Sequence, residues 1–252
     1  MENFPTHAMI LAAGLGERLR PLTLTTPKPL IPVGKRLLIE YNIYLLKKYG
    51  VKEITINLHH LSDKIQGALG DGKAYGVKLF YNFEPSILGT GGGIKDVENF
   101  FAKKPFVVMN GDILLDIDLA AVWKQHLQSK SLATLVVSPT ERKDVKRLVY
   151  LDEKNDVLDI AENAPAEACR GYVFTGVQIA EARILDELPA DTQSCIVQNA
   201  YLPLLRKNEK LGGFICSDYF RDLGTPERYE EVKKEFAQKW PYTTLKPEDM
   251  AS

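Results

Sequence analysis

The chain has 252 residues, 45% of them hydrophobic and 26% charged, enough for one large α/β domain or two modest ones and too apolar for disorder. Its 32 basic and 33 acidic side chains give a formal net charge of −1, which excludes any global attraction to nucleic acid or an anionic membrane. No apolar run approaches the roughly 20 residues that a membrane helix needs.

The first predicted element is a strand over His7–Ala12. It is short, runs into glycines, and lacks the basic segment and long apolar core of a secretory signal. A loop follows through Val33, then a helix over Leu37–Lys48 with Gly50 as its stop. Glu53–Leu58 reads as a strand, Ser62–Leu69 as a short helix and Lys78–Phe83 as a strand. A glycine-rich turn, Gly89–Gly93, leads into a helix through Phe101, and Phe106–Asn110 is a buried type of strand ending in Gly111-Asp112. Next come a helix over Asp118–Lys130 and a strand over Ala133–Ser138. Leu148–Leu151 and Val157–Ala161 flank a turn-like Glu153–Asp156 and form a hairpin. Val173–Ile179 is a strand, with helices around Ala182–Leu188 and Val197–Leu205. Pro226–Gln238 closes the series as a helix, with Thr225 as its cap and Pro226 at its first position.

The β-α-β-α rhythm predicts a Rossmann-like, three-layer α/β/α fold around a mixed, mainly parallel sheet, with ligands at the carboxyl ends of its strands. No repeat or low-complexity linker interrupts residues 1–240, which read as a single catalytic domain, and 241–252 read as a flexible tail. Cys169, Cys195 and Cys216 are odd in number and widely spaced, so they suit reduced thiols of a cytoplasmic protein and neither a disulfide framework nor a CxxC metal site.

The densest chemical signal is Leu11-Ala12-Ala13-Gly14-Leu15-Gly16-Glu17-Arg18, followed by Pro27-Lys28-Pro29. Glycines directly after a first strand let backbone N–H groups approach an anion. The third glycine of a dinucleotide loop is replaced by Leu19, and no Walker lysine pattern is present. Arg18 and Lys28 add two cations on a proline-stiffened loop, which suits triphosphate oxygens whose negative charge grows during transfer.

These segments, with Gly89-Thr90-Gly91-Gly92-Gly93, Asn110-Gly111-Asp112 and Arg221-Asp222-Leu223-Gly224-Thr225-Pro226, resemble the sugar-1-phosphate nucleotidyltransferases. Within that family the shortened Glu84–Gly93 and Gly111–Asp112 regions most resemble mannose-1-phosphate guanylyltransferases and N-acetylmuramate-1-phosphate uridylyltransferases. The likeness spans residues 7–237, so a catalytic core is expected and a large C-terminal β-helix domain is not.

The resemblance implies that Asp112 and Asp222 share a Mg²⁺, an ion that combines one or two carboxylates with waters and phosphate oxygens. It implies transfer of a nucleoside monophosphate from a nucleoside triphosphate to a sugar 1-phosphate, with Arg18 and Lys28 as the catalytic cations. Leu11, Ala12, Ala13, Gly14, Gly16, Glu84, Gly89, Thr90 and Gly91 would hold the nucleotide. Glu84 could accept two hydrogen bonds from guanine, which favours GTP with mannose 1-phosphate, or it could be a structural turn residue beside a UTP site. For the sugar the likeness points to Asn110, Gly111, Glu162, Thr175 and Gly176. Many relatives carry Glu-Lys-Pro where this chain has Glu162-Asn163-Ala164-Pro165, so the phosphate-binding lysine is missing; Arg147 and Arg170 are candidate replacements.

Three alternatives remain open: UTP with N-acetylmuramate 1-phosphate, a non-sugar acceptor such as phosphocholine, and a sensor that binds nucleotide sugars without turnover. The expected partners are small molecules, with neither nucleic acid nor membrane among them. His59-His60 read as structural, because adjacent strand residues face opposite sides.

Overall fold

A computed structural model describes residues 4–139, 147–164 and 169–250. In chain order its strands and α-helices are β1 (His7–Leu11), β2 (Pro32–Val33), β3 (Arg36–Leu37), α1 (Leu38–Lys48), β4 (Glu53–Leu58), α2 (Ser62–Leu69), β5 (Lys78–Phe83) and α3 (Gly89–Asp96). They continue with β6 (Phe106–Asn110), β7 (Ile113–Leu115), α4 (Leu119–Ser129), β8 (Ala133–Ser138), β9 (Leu148–Leu151), β10 (Val157–Ala161) and β11 (Arg170–Ala180). Last are α5 (Leu202–Arg206), β12 (Leu211–Ile215), β13 (Phe220–Asp222) and α6 (Pro226–Gln238). Nine of the strands form a mixed central sheet, as the alternating pattern predicts. Among the described residues no helix is long and apolar enough to cross a membrane.

The chain divides into two compact units. The first comprises the described parts of 1–87, 109–118 and 218–252, and the second comprises 88–108 and the described parts of 119–217. Strand β6 passes from the second to the first after Val108.

In the first unit β1, β4 and β5 run parallel in that order, with Leu11 beside Asn57 and Asn57 beside Asn82. Three strand ends therefore finish together where the glycine loop begins. Helix α1 buries Leu38, Ile39, Ile43 and Leu46 completely, each worth roughly 1.5–3 kcal/mol of transfer free energy. Its start is capped by Glu40, whose carboxylate accepts the Leu37 amide at 2.6 Å. The long loop after β1 folds into three short 3₁₀ turns, Glu17–Leu19, Leu22–Leu24 and Lys28–Leu30. Residues 241–250, expected as a loose tail, instead end in a 3₁₀ turn and bury Tyr242, Leu245 and Met250.

In the second unit β8 lies between β11, antiparallel, and β12, parallel. The hairpin β9–β10 forms as predicted and pairs with the start of β11. The glycine run belongs to helix α3 itself and is not a turn ahead of it. Strand β11 is longer than its apolar core suggests and shifts register between Phe174 and Val177.

Candidate active site

The first unit contains a cavity of about 510 Å³ lined by Leu11, Ala12, Gly14, Gly16, Arg18, Lys28, Gly111, Asp112 and Gly224, among others. Most of the expected phosphate residues thus meet at the carboxyl end of β1. Ala13 is buried and not part of this lining.

The two loop glycines serve different ends. Gly16 has φ +65°, a left-handed conformation, and a Cβ there would meet Thr23 at 2.9 Å, whose hydroxyl donates to the Gly16 carbonyl. Gly14 has open space around its absent Cβ, leaving room for a ligand to approach the backbone.

Lys28 is almost buried, on a 3₁₀ turn between Pro27 and Ile31, and its Nζ donates to Asp112 Oδ2 at 2.6 Å. Asp112 sits between β6 and β7, where Gly111 allows a close crossing: its N–H donates to the Leu11 carbonyl at 2.8 Å. Strands β7 and β13 pair antiparallel with Asp222 opposite Ile113, and the Leu223 amide donates to the Asp112 carbonyl. Two carboxylates 110 residues apart in sequence are thereby set on neighbouring backbone. Asp222 Oδ1 accepts from the Gly224 amide at 3.1 Å and from Arg228 at 2.6 Å. A side chain at Gly224 would strike Asp222 and fall within 3.2 Å of both Arg228 and Arg18, so this glycine keeps a carboxylate and two guanidinium groups together.

Arg228 is a site residue that the motif reading missed. Its signal is its position inside the first turn of α6, where the Thr225 cap turns the backbone back toward Asp222.

Glu84 is tied into the fold, as the structural alternative for it expects. It is fully enclosed, and its Oε1 accepts from Asn57 Nδ2 at 2.7 Å. Asn57 in turn accepts the Ala12 amide at 2.7 Å. The Ala12 amide is therefore spent inside the protein. His59 donates its Nδ1 to the Glu84 carbonyl, which makes it a structural histidine as expected.

Of the other expected residues Asn110 lies in the first unit, at the end of β6, and the rest lie in the second. Gly89, Gly91 and Gly92 are glycines for packing: a Cβ on each would meet Ser194 or Thr192 oxygens at 2.6–2.7 Å. The chain's own 192–196 segment packs against these glycines, and Thr90 accepts the Ile196 amide. Thr175 is buried, and its hydroxyl donates to the Val136 carbonyl at 2.8 Å. Gly176 lies in the β11 bulge at φ +85° and is required by that backbone. Glu162 remains exposed and lines a cavity of about 580 Å³ with Arg147, Gln198 and Arg206. Of the two candidate replacement cations, only Arg147 is in that lining.

Among the described residues no cluster of three or more His, Cys, Asp or Glu side chains gathers for a metal. The hard-oxygen pair Asp112–Asp222 still fits Mg²⁺, which needs few protein ligands when phosphate supplies the rest.

Comparison with known proteins follows the same geometry. The sequence profile of the Nucleotidyl transferase family matches residues 7–239. A UTP–glucose-1-phosphate uridylyltransferase of Synechocystis sp. is 36% identical over 73% of this chain, which spans about half, 51%, of that protein's length. An N-acetylmuramate alpha-1-phosphate uridylyltransferase of Neisseria meningitidis is 35% identical over 90% of this chain and 96% of its own. The crystal structure of HddC from Yersinia pseudotuberculosis complexed with GMP-PN superposes with a TM-score of 0.74 at 25% identity, covering 92% of this chain and 99% of that one.

Proposed function

The chain belongs to the nucleotidyl transferase family, and from that premise we propose that it joins a nucleoside triphosphate to a sugar 1-phosphate, giving a nucleotide sugar and pyrophosphate. The observation that carries this reading is the cavity in which an open glycine loop, Arg18, Lys28 and Asp112 converge.

In the reaction an oxygen of the sugar phosphate attacks the α-phosphorus, the bond from that phosphorus to the bridging oxygen breaks, and pyrophosphate leaves with the electron pair. The nucleophile is already anionic at neutral pH, so no protein base is required. Catalysis rests on positioning and on fixed positive charge. Amides from Ala13 onward and Arg18 neutralise the triphosphate and leaving group, while Lys28, held by Asp112, presents its ammonium group to phosphate oxygens. Asp112 and Asp222 would hold Mg²⁺, which when bound supplies further charge neutralisation at the phosphates. Glu162 and Arg147 line one cavity of the second unit, where Arg147 would supply the charge of the missing lysine.

For the nucleotide we place UTP with N-acetylmuramate 1-phosphate ahead of GTP with mannose 1-phosphate. The guanine preference rested on Glu84, which is closed off by Asn57, and the relatives at 35–36% identity are named as uridylyltransferases. GTP stays as the second reading because the HddC structure carries a guanine nucleotide. Pyrophosphate release from UTP, GTP, CTP and dTTP, each crossed with N-acetylmuramate, mannose and glucose 1-phosphates in Mg²⁺, tests the proposal. Turnover greatest with UTP is expected. Nucleotide binding without pyrophosphate from any pair would replace the transferase by a sensor.

A further inference from the structure

Where β1 leaves the sheet, its ladder is continued by a side chain. Leu11 is the last residue paired with β4, opposite Asn57, and the next amide, that of Ala12, donates to Asn57 Oδ1 at 2.7 Å. On its other side Asn57 donates Nδ2 to Glu84 Oε1 at 2.7 Å. Glu84 is pinned by its own backbone: its N–H donates to the Leu58 carbonyl at 2.8 Å, and its carbonyl accepts from His59 at the same distance. The brace is closed to solvent, with Asn57 3% exposed and Glu84 not at all. It ends directly behind Ala12, which lines the phosphate cavity.

We infer that Asn57 and Glu84 are positioning residues for the triphosphate loop, acting through the Ala12 amide. The chemistry of each group fixes the direction of the brace. A backbone N–H only donates, and a carboxylate only accepts, so an asparagine between them has one satisfied orientation, oxygen toward Ala12 and NH₂ toward Glu84. Reversing the amide would set donor against donor and acceptor against acceptor in a buried place, where unpaired groups are costly. Locking Ala12 sets the direction in which the amides from Ala13 to Gly16 emerge, and misplacement of such donors by about 1 Å is enough to impair transfer roughly 10²-fold. The inference rests on the nucleotidyltransferase reading for its consequence, while the brace itself is a property of the fold.

A donor–acceptor swap tests it. Asn57→Asp places two carboxylates face to face; Glu84→Gln keeps an acceptor oxygen for Asn57 and serves as the conservative variant. The double variant Asn57→Asp with Glu84→Gln restores a complete set. The new amide at position 84 then donates where Asn57 did, and the new carboxylate at position 57 still accepts the Ala12 amide. We expect Asn57→Asp to raise the KM for the triphosphate at least ~10-fold while the KM for the sugar 1-phosphate moves little, and the double variant to return within ~3-fold of wild type. Hydrogen exchange of the peptide containing Ala12 should speed up in Asn57→Asp and slow again in the double variant. Unchanged exchange in Asn57→Asp, an unrescued double variant, or altered exchange with an unaltered triphosphate KM would each overturn the inference. If wild type released no pyrophosphate from any substrate pair, the functional reading would fail, and the exchange measurement would still decide the brace.

Discussion

Gly14 and Gly16 look alike in sequence and part company in the structure. Gly16→Ala forces a left-handed backbone on a residue with a Cβ and drives that Cβ against Thr23; it should lower stability by ~1 kcal/mol or more. Gly14→Ala meets nothing within 4 Å, so thermal unfolding should show it no less stable than wild type. Gly14 lines the cavity proposed for the triphosphate, and the triphosphate KM of this variant should rise. A Gly14→Ala variant with unchanged kinetics would remove the loop from the nucleotide site. Arg18 is exposed on the same loop and touches the Gly224 region, so Arg18→Ala should fold normally. It should also lose at least ~2.7 kcal/mol of transition-state stabilisation, like the loss of one well-placed oxyanion donor. A single-turnover rate within about threefold of wild type would refute that role. Cations and glycines were legible here because their spacing is local. Asn57 and Glu84 were not, since one hydrogen bond between residues 27 apart decides whether a carboxylate faces a base or a buried amide.

At the scale of elements, periodicity located the helices and most strands, and it failed where tertiary packing overrides propensity. Three glycines in succession argue against a helix, yet α3 begins at Gly89, because the backbone of 192–196 lies so close that side chains would collide. Strand β12 escaped notice because Leu211-Gly212-Gly213 has poor strand propensity; Gly213 is needed where Leu151 packs within 2.5 Å of its absent Cβ. Helix α4 carries a comparable hidden feature in His126. It is buried against Trp123 at a ring separation of 5.4 Å and bonded to Thr134 and Glu181. Burial lowers its pKa below 6.5, with Glu181 opposing the shift. The unfolded chain then binds the proton more readily than the folded one. This contribution to stability is complete above about pH 6.5 and is lost as the pH falls toward the folded pKa. Urea unfolding at about pH 7.5 and 5.5 should show a drop that His126→Gln reduces. Equal drops in both proteins would mean that other groups carry it.

For the whole molecule, a net charge of −1 is reached partly through cations and carboxylates that are paired in the fold. In the first unit Lys28 is matched to Asp112 and Arg228 to Asp222, so the candidate site is a set of paired charges, and the balance over the chain says little about it. Composition misled in a second place as well. Residues 241–250 are polar enough to read as loose, yet they are held by one buried carboxylate. Asp116, 1% exposed, accepts the amides of Thr243, Thr244 and Leu245 and the Thr243 hydroxyl. Around this clamp the rings of Tyr41, Phe236, Trp240 and Tyr242 pack at 5.4–6.0 Å, and Lys48 pairs with Asp249. No local pattern announces such a site, because Asp116 stands 127 residues from its first partner. Asp116→Ala would remove the shared acceptor of three adjacent amides, of which that of Leu245 is buried, and should cost about 3 kcal/mol, as expected for losing bonds to a charged acceptor. Urea unfolding measures that loss, and limited proteolysis should show new cleavage after Trp240. A change within ~0.5 kcal/mol, the range of an ordinary surface substitution, would mean that the segment behaves as the loose tail its composition suggests.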